Sequence, residues 1–150
     1  GWTISGAYLL STRGLGGSTP HEKLPCPKVL LVGLAQAASI FPGISRSGST
    51  IASGLWLGLR RESAAEFSFF LAIPAMLGAG AHETLKLLES PEPNGEVLVL
   101  CAVGAPVAFF VGTVAINLLL RIVRRGAFHC FGAYNLCAAA AFAAYLLARG

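Results

Sequence analysis

The chain has 150 residues, of which 55% are hydrophobic and 12% charged, with a formal net charge of +4. A soluble domain carries about 25% charged residues, so this composition excludes an ordinary water-soluble globule and makes lipid the solvent for much of the surface. The basic residues form short clusters at the ends of apolar blocks, without the interleaved aromatics of a base-stacking surface, so the positive charge does not imply nucleic acid.

Residues 1–10 (GWTISGAYLL) look like the last turns of a helix already under way, and the single methionine is Met76. The chain is therefore expected to be a piece of a larger protein, and no secretory leader pattern is visible in it. Residues 11–28 (STRGLGGSTPHEKLPCPK) are rich in Gly, Pro and Ser and carry Arg13, Lys23 and Lys28 without an apolar period, which predicts a loop.

The apolar block that follows, 29–41, is too short to span. At 1.5 Å per residue it covers roughly 20 Å of a ~30 Å hydrocarbon core. Pro42 disfavours helix at Phe41 and Gly43 loosens the backbone. After a polar run, a second short apolar block extends from 51 to 59. Two half-length helices meeting at a polar apex predict a re-entrant hairpin over 29–59, its apex lining a cavity, since non-helical backbone is tolerated at that depth only where protein or water surrounds it. A soluble helix-turn-helix would fit 29–59 alone but not the three apolar blocks that come next.

Those blocks predict membrane spans at 64–88, 97–120 and 127–148. The first contains Pro74 as a kink with Gly78 and Gly80, the second Pro106 and Asn117, and the turn-rich acidic segment 90–96 joins them. The expected fold is all-α: one polytopic membrane domain with a re-entrant hairpin and about three transmembrane helices. Lys23, Lys28, Arg60 and Arg61 flank the hairpin and Arg121, Arg124 and Arg125 end the second span, whereas the segment between holds Glu89, Glu92 and Glu96. The bias of Lys and Arg toward the cytoplasm places the hairpin mouth and Arg121–Arg125 inside and the acidic loop and C-terminus outside, with Arg149 dissenting.

The chemistry concentrates at the apex, Pro42-Gly43-Ile44-Ser45-Arg46-Ser47-Gly48-Ser49-Thr50. An arginine near the bilayer centre costs about 2.5–3.5 kcal/mol, so Arg46 needs a partner. Its planar guanidinium matches two phosphate oxygens at once. Ser45, Ser47, Ser49 and Thr50 supply hydroxyls, Gly43 and Gly48 admit close approach of backbone amides, and the start of the second half-helix directs free N–H groups and a positive dipole end at the cavity. An anion is the natural occupant; the plainer alternative is a helix cap with Arg46 paired to a carboxylate such as Glu66.

Other polar residues carry weaker signals. Glu66 is placed to pair with Arg60, Arg61 or Arg46, and Gln36 to face the cavity or a neighbouring helix. Gly54 and Gly58 form a small-xxx-small pattern suited to packing within the hairpin. Cys26, Cys101, Cys130 and Cys137 sit singly and imply neither a disulfide nor a metal framework. His21 lies in the polar loop, and His82 and His129 near span ends, in no catalytic setting.

Residues 33–50 (GLAQAASIFPGISRSGST), followed by 63–74 (SAAEFSFFLAIP), closely resemble the C-terminal half of the undecaprenyl-diphosphate phosphatase, or bacitracin-resistance protein, family. The signature P-G-x-S-R-S-G-x-T is matched at Pro42, Gly43, Ser45, Arg46, Ser47, Gly48 and Thr50. The resemblance implies a polytopic enzyme of the bacterial inner membrane that removes the terminal phosphate of undecaprenyl diphosphate, recycling the lipid carrier of peptidoglycan synthesis. It implies two inverted repeats, each with a re-entrant hairpin, whose apices meet in a cavity open to the outer face. It further implies that Arg46 binds the diphosphate and that Ser45 and Thr50 take part in the phosphate site, with Gly43, Ser47, Gly48, Ser49 and Gln36 as substrate-binding candidates.

The family's first motif, a glutamate-rich helix running into a P-V-S-S-T-G-H turn, is absent. A divalent cation, magnesium or calcium, and the acid/base groups are thus expected from an N-terminal half or partner subunit, and this polypeptide alone is expected to be inactive. The rival readings are a lipid or anion transporter, since secondary transporters also build sites from broken helices, and a non-catalytic binding subunit.

Overall fold

The computed structural model describes residues 1–89 and 95–149. In chain order these form α1 (Trp2–Leu10), a 3-10 turn (His21–Lys23), α2 (Cys26–Ala38), α3 (Arg46–Trp56), α4 (Arg61–Glu89), α5 (Gly95–Arg124) and α6 (His129–Arg149). No strand occurs among the described residues, where Thr19 and Leu59 make an isolated parallel bridge. The protein is all-α. Three stretches, Arg61–Leu87, Val99–Arg124 and His129–Leu147, are long and apolar enough to cross a membrane, and they leave large side chains such as Phe70, Leu77, Phe109, Phe110 and Leu147 exposed. In water such a surface would be a liability, but in hydrocarbon it is the expected outer face. The chain is a polytopic membrane protein.

The helices outrun the apolar blocks. α4 begins at Arg61 and α5 continues to Arg124, because Arg and Glu are good helix formers and the backbone ladder persists into the interface; hydropathy marks only the part that hydrocarbon surrounds. α2 likewise begins at Cys26, inside the predicted loop, with Pro27 in the first turn where its missing N–H costs nothing. Of the predicted acidic turn, residues 90–94 lie outside the described residues and Gly95 is already helical.

α2 has 13 residues and α3 has 11, about 20 and 16 Å of helix, each short of the ~30 Å core. Between them Phe41 O accepts the Ile44 amide at 3.2 Å, with Pro42 and Gly43 at the central positions and Gly43 at φ +85°. That is a type II turn, in which the second central residue needs positive φ. α3 ends in a Schellman motif: Gly58 has φ +92°, its amide reaches Leu55 O at 3.1 Å, and the Leu59 amide reaches Gly54 O at 3.0 Å. The two glycines of the small-xxx-small pattern therefore do different jobs. Gly54 lets α4 approach, since a Cβ there would lie 3.2 Å from that of Ala64, whereas Gly58 turns the chain.

α3 is the central element. Residues 48–55 are all buried, and Ile51, Leu55 and Leu59 pack with Leu9, Leu24, Ala64, Ala65, Val123 and Phe128. α1 lies along α6 and crosses it where Gly6 meets Gly132: a Cβ on Gly132 would come 2.7 Å from Gly6 O, the close backbone approach that small residues give membrane helices. This crossing carries Ser5 to the hairpin apex.

Candidate phosphate-binding turn

Ser45 is the N-cap of α3, and its Oγ accepts the Gly48 amide at 3.1 Å. The cap uses one hydroxyl and leaves the first amides of the helix, those of Arg46 and Ser47, free of backbone acceptors as in any α-helix. The Ser45 amide is held from outside: it donates to Ser5 Oγ at 3.0 Å, while Ser5 Oγ donates to Gly43 O at 3.2 Å. Ser5 is 4% exposed. No local pattern announces this clasp, because it depends on where α6 places α1.

Arg46, the first residue of α3, lines a cavity of about 420 Å³ with Gly33, Gln36, Ala37, Ser39, Ile40 and Ala75. Its Nη2 is buried without a hydrogen-bond partner. A buried guanidinium nitrogen with no acceptor forfeits solvation without compensation, which an anion bound beside it would restore. The carboxylate alternative fails: Glu66 points to His21, 3.6 Å from Nδ1, with the His21 ring tilted over Phe70 at 5.6 Å between centroids. Arg60, Arg61 and Arg46 are thus not the partners of Glu66, because the loop returns His21 to that face of α4. Gln36 both lines the Arg46 cavity and donates to Leu71 O at 3.3 Å, tying α2 to α4 one turn before Pro74.

Ser45, Ser47 and Gly48 open on the other side of the helix start, at the end of an apolar cleft of about 410 Å³ that includes Leu118, Phe131 and Tyr134. Ser49 and Thr50 reach neither space. Ser49 Oγ donates to Ser45 O at 2.8 Å, and Thr50, 1% exposed, bonds Arg46 O at 3.1 Å and Ser68 Oγ at 2.5 Å. Thr50 lies where α3 packs on α4 and its hydroxyl is consumed by helix and interface, whereas the Ser49 hydroxyl is consumed within the helix. The sequence reading had no signal for Ser68, 18 residues from Thr50. Pro42, Gly43 and Ser47 are exposed at the apex.

The donors of this turn, a guanidinium, hydroxyls and backbone amides, suit an anion; among the described residues no group of three or more His, Cys, Asp or Glu is placed to hold a metal ion. Cys26, Cys101, Cys130 and Cys137 are free and exposed.

The chain is 44% identical over 139 residues to the undecaprenyl-diphosphatase of Korarchaeum cryptofilum, covering 89% of this chain and 48% of that protein. It is 50% identical over 107 residues to the undecaprenyl-diphosphatase of Thermomicrobium roseum, 71% of this chain and 38% of the relative. For that of Corynebacterium glutamicum the identity is 40% over 116 residues, 77% and 40% of the two chains. The chain thus spans about half the length, or less, of these curated relatives. The family model described as Bacitracin resistance protein BacA matches residues 2–141, which covers the hairpin, α4, α5 and the first part of α6, and the chain belongs to that family.

Proposed function

We propose that this chain supplies the phosphate-gripping half of an undecaprenyl-diphosphatase, a membrane hydrolase that cleaves undecaprenyl diphosphate to undecaprenyl phosphate and phosphate. The observation that carries the proposal is Arg46 at the N-terminus of α3, whose side chain lines a cavity between α2 and α4 and whose buried Nη2 has no hydrogen-bond partner. Relatives 44% and 50% identical to this chain over the matched residues are named undecaprenyl-diphosphatase.

In the reaction a water oxygen bonds to the terminal phosphorus as the bridging P–O bond breaks, and the electron pair leaves with the lipid monophosphate. Phosphoryl transfer of this kind depends on positioning and charge stabilisation. Arg46 would hold two non-bridging oxygens, the Arg46 and Ser47 amides and the dipole of α3 would face the same charge, and Ser45 and Gly43 would set the backbone that presents them. Ser47 and Gly48 would admit the lipid from the apolar cleft, and Gln36 would shape the cavity wall. Thr50 and Ser49 act one step back, fixing the first turn of α3. A complementary half or partner subunit would activate the water and hold any divalent cation, so the chain alone would be inactive. The hairpin and the three long helices form one membrane domain in this reading, in the bacterial inner membrane with the cavity toward the outer side. The clustering of Arg60, Arg61, Arg121, Arg124 and Arg125 at one end supports that orientation.

Phosphate release from undecaprenyl diphosphate, measured with the chain alone and with a co-expressed N-terminal half of a relative, tests this. Background alone, turnover when combined, and a loss of about 100-fold or more in Arg46→Gln are expected, the size seen when one charge-stabilising donor is removed. An Arg46→Gln assembly with an undiminished rate, or lipid movement without phosphate release, would refute it.

A further inference from the structure

A second basic cleft lies at the opposite end of α3. Gly16, Gly17, Arg60, Arg61, Glu62 and Arg124 line a space of about 410 Å³ between the polar loop, the start of α4 and the end of α5. Three guanidiniums face one carboxylate, and Glu62 is already paired with Arg124. Among the described residues Arg60 and Arg61 meet no carboxylate at ion-pair distance.

Arg61 is nonetheless fixed. Its Nε donates to Leu15 O at 3.1 Å, and the side chain is wedged between two glycines: a Cβ on Gly16 would sit 3.0 Å from Nε and one on Gly126 2.9 Å from Cζ. Gly126 has φ +74°, as the turn after α5 requires. Gly126 packs against the Nη atoms as well, but the hydrogen bond uses Nε, so the Nη donors keep their hydrogen-bonding capacity for a ligand. Arg60 Nη2 reaches Ser63 Oγ at 3.4 Å. A guanidinium that only marked topology would need no such seat, because exposed Arg121 and Arg125 at the same end serve that purpose.

Depth narrows the ligand. One span-length apolar stretch begins at Arg61 and another ends at Arg124, so the cleft lies where hydrocarbon gives way to headgroups, and in the orientation proposed above its charge faces the cytoplasmic leaflet, whose anionic lipids attract basic segments. It stands one α3 length, about 16 Å, from Arg46. We propose that this cleft binds the phosphate of an anionic phospholipid, with Arg60 and Arg61 as its forked donors.

Native mass spectrometry of the full chain from nanodiscs of phosphatidylglycerol or phosphatidylcholine tests this. Preferential retention of phosphatidylglycerol is expected, falling about tenfold or more in Arg60→Gln/Arg61→Gln through loss of charge-assisted hydrogen bonds. Arg121→Gln/Arg125→Gln, which removes the same charge outside the cleft, is expected to change it less than about threefold. Arg60→Gln alone, which leaves the Arg61 wedge intact, should weaken retention in the same direction. Equal retention of the two lipids, equal loss in the two double variants, no loss in Arg60→Gln, or inorganic phosphate binding as tightly without lipid would each overturn the assignment.

Discussion

The hydroxyl of Ser5 accepts the amide of Ser45 at 3.0 Å across 40 residues of chain, and on its other side donates to Gly43 O. One side chain therefore satisfies two backbone groups of the apex. Ser5→Ala strands a donor and an acceptor where water is scarce and is expected to lower stability by about 1–3 kcal/mol. Thr84→Ala, at an exposed hydroxyl that only back-bonds Gly80 O, is expected to stay within about 0.5 kcal/mol. Thermal unfolding in detergent, compared between the two variants, checks the difference.

Glycines in the hairpin should respond in opposite directions. Gly43 has φ +85°, and an added Cβ would come 3.0 Å from Gly1 Cα and 3.1 Å from Trp2 Cδ1. Gly43→Ala is expected to cost about 1–2 kcal/mol. Gly33 lies inside α2 with nothing within 4 Å of the added carbon, so Gly33→Ala is expected to stabilise by about 0.5–1 kcal/mol. Denaturant or thermal midpoints of the two variants would show whether the signs differ.

Thr50 and Ser68 should be unequal partners. If Ser68 becomes Ala, Thr50 Oγ1 still bonds the carbonyls of Arg46 and Ser47, and the cost should be below about 1 kcal/mol. Thr50→Val instead leaves the buried Ser68 hydroxyl without this partner and is expected to cost about 1–3 kcal/mol, part of it recovered in Thr50→Val/Ser68→Ala. A double-mutant cycle on unfolding free energy measures the asymmetry, and equal single-variant costs would contradict it.

Gln36 links stability to ligand binding. An interhelical side-chain bond in a membrane averages about 0.6 kcal/mol, so Gln36→Leu should unfold almost like the parent chain. Because Gln36 and Arg46 share one cavity wall, its loss is expected to weaken pyrophosphate binding non-additively with Arg46→Gln, by about 0.5 kcal/mol or more of coupling. Calorimetric titration of the single and double variants would reveal additive effects if the two residues were independent.

Much of this architecture was legible before any coordinates, and the reason is local. Pro42 and Gly43 encode their turn by φ alone, Ser45 caps the helix three residues ahead, and the long apolar blocks need nothing but length to declare themselves. What pattern could not supply was every relation across the chain. Ser5 over the apex, Ser68 beneath Thr50, and His21 folded back to Glu66 depend on tertiary packing that no window of sequence contains. The same blindness let Thr50 and Ser49 look equivalent to Ser45 and Ser47, because motif spacing does not say which hydroxyls a neighbouring helix will consume.

α3 also works as a ruler. Its Schellman turn at Gly58 and its serine cap at Ser45 fix both ends of a rod of 11 residues, so the depth at which Arg46 meets a lipid and the level at which Arg60 and Arg61 meet the aqueous boundary cannot drift independently. Lengthening that rod by one helical turn would displace the two arginine stations by about 5 Å and detune whichever of them the bilayer no longer matched.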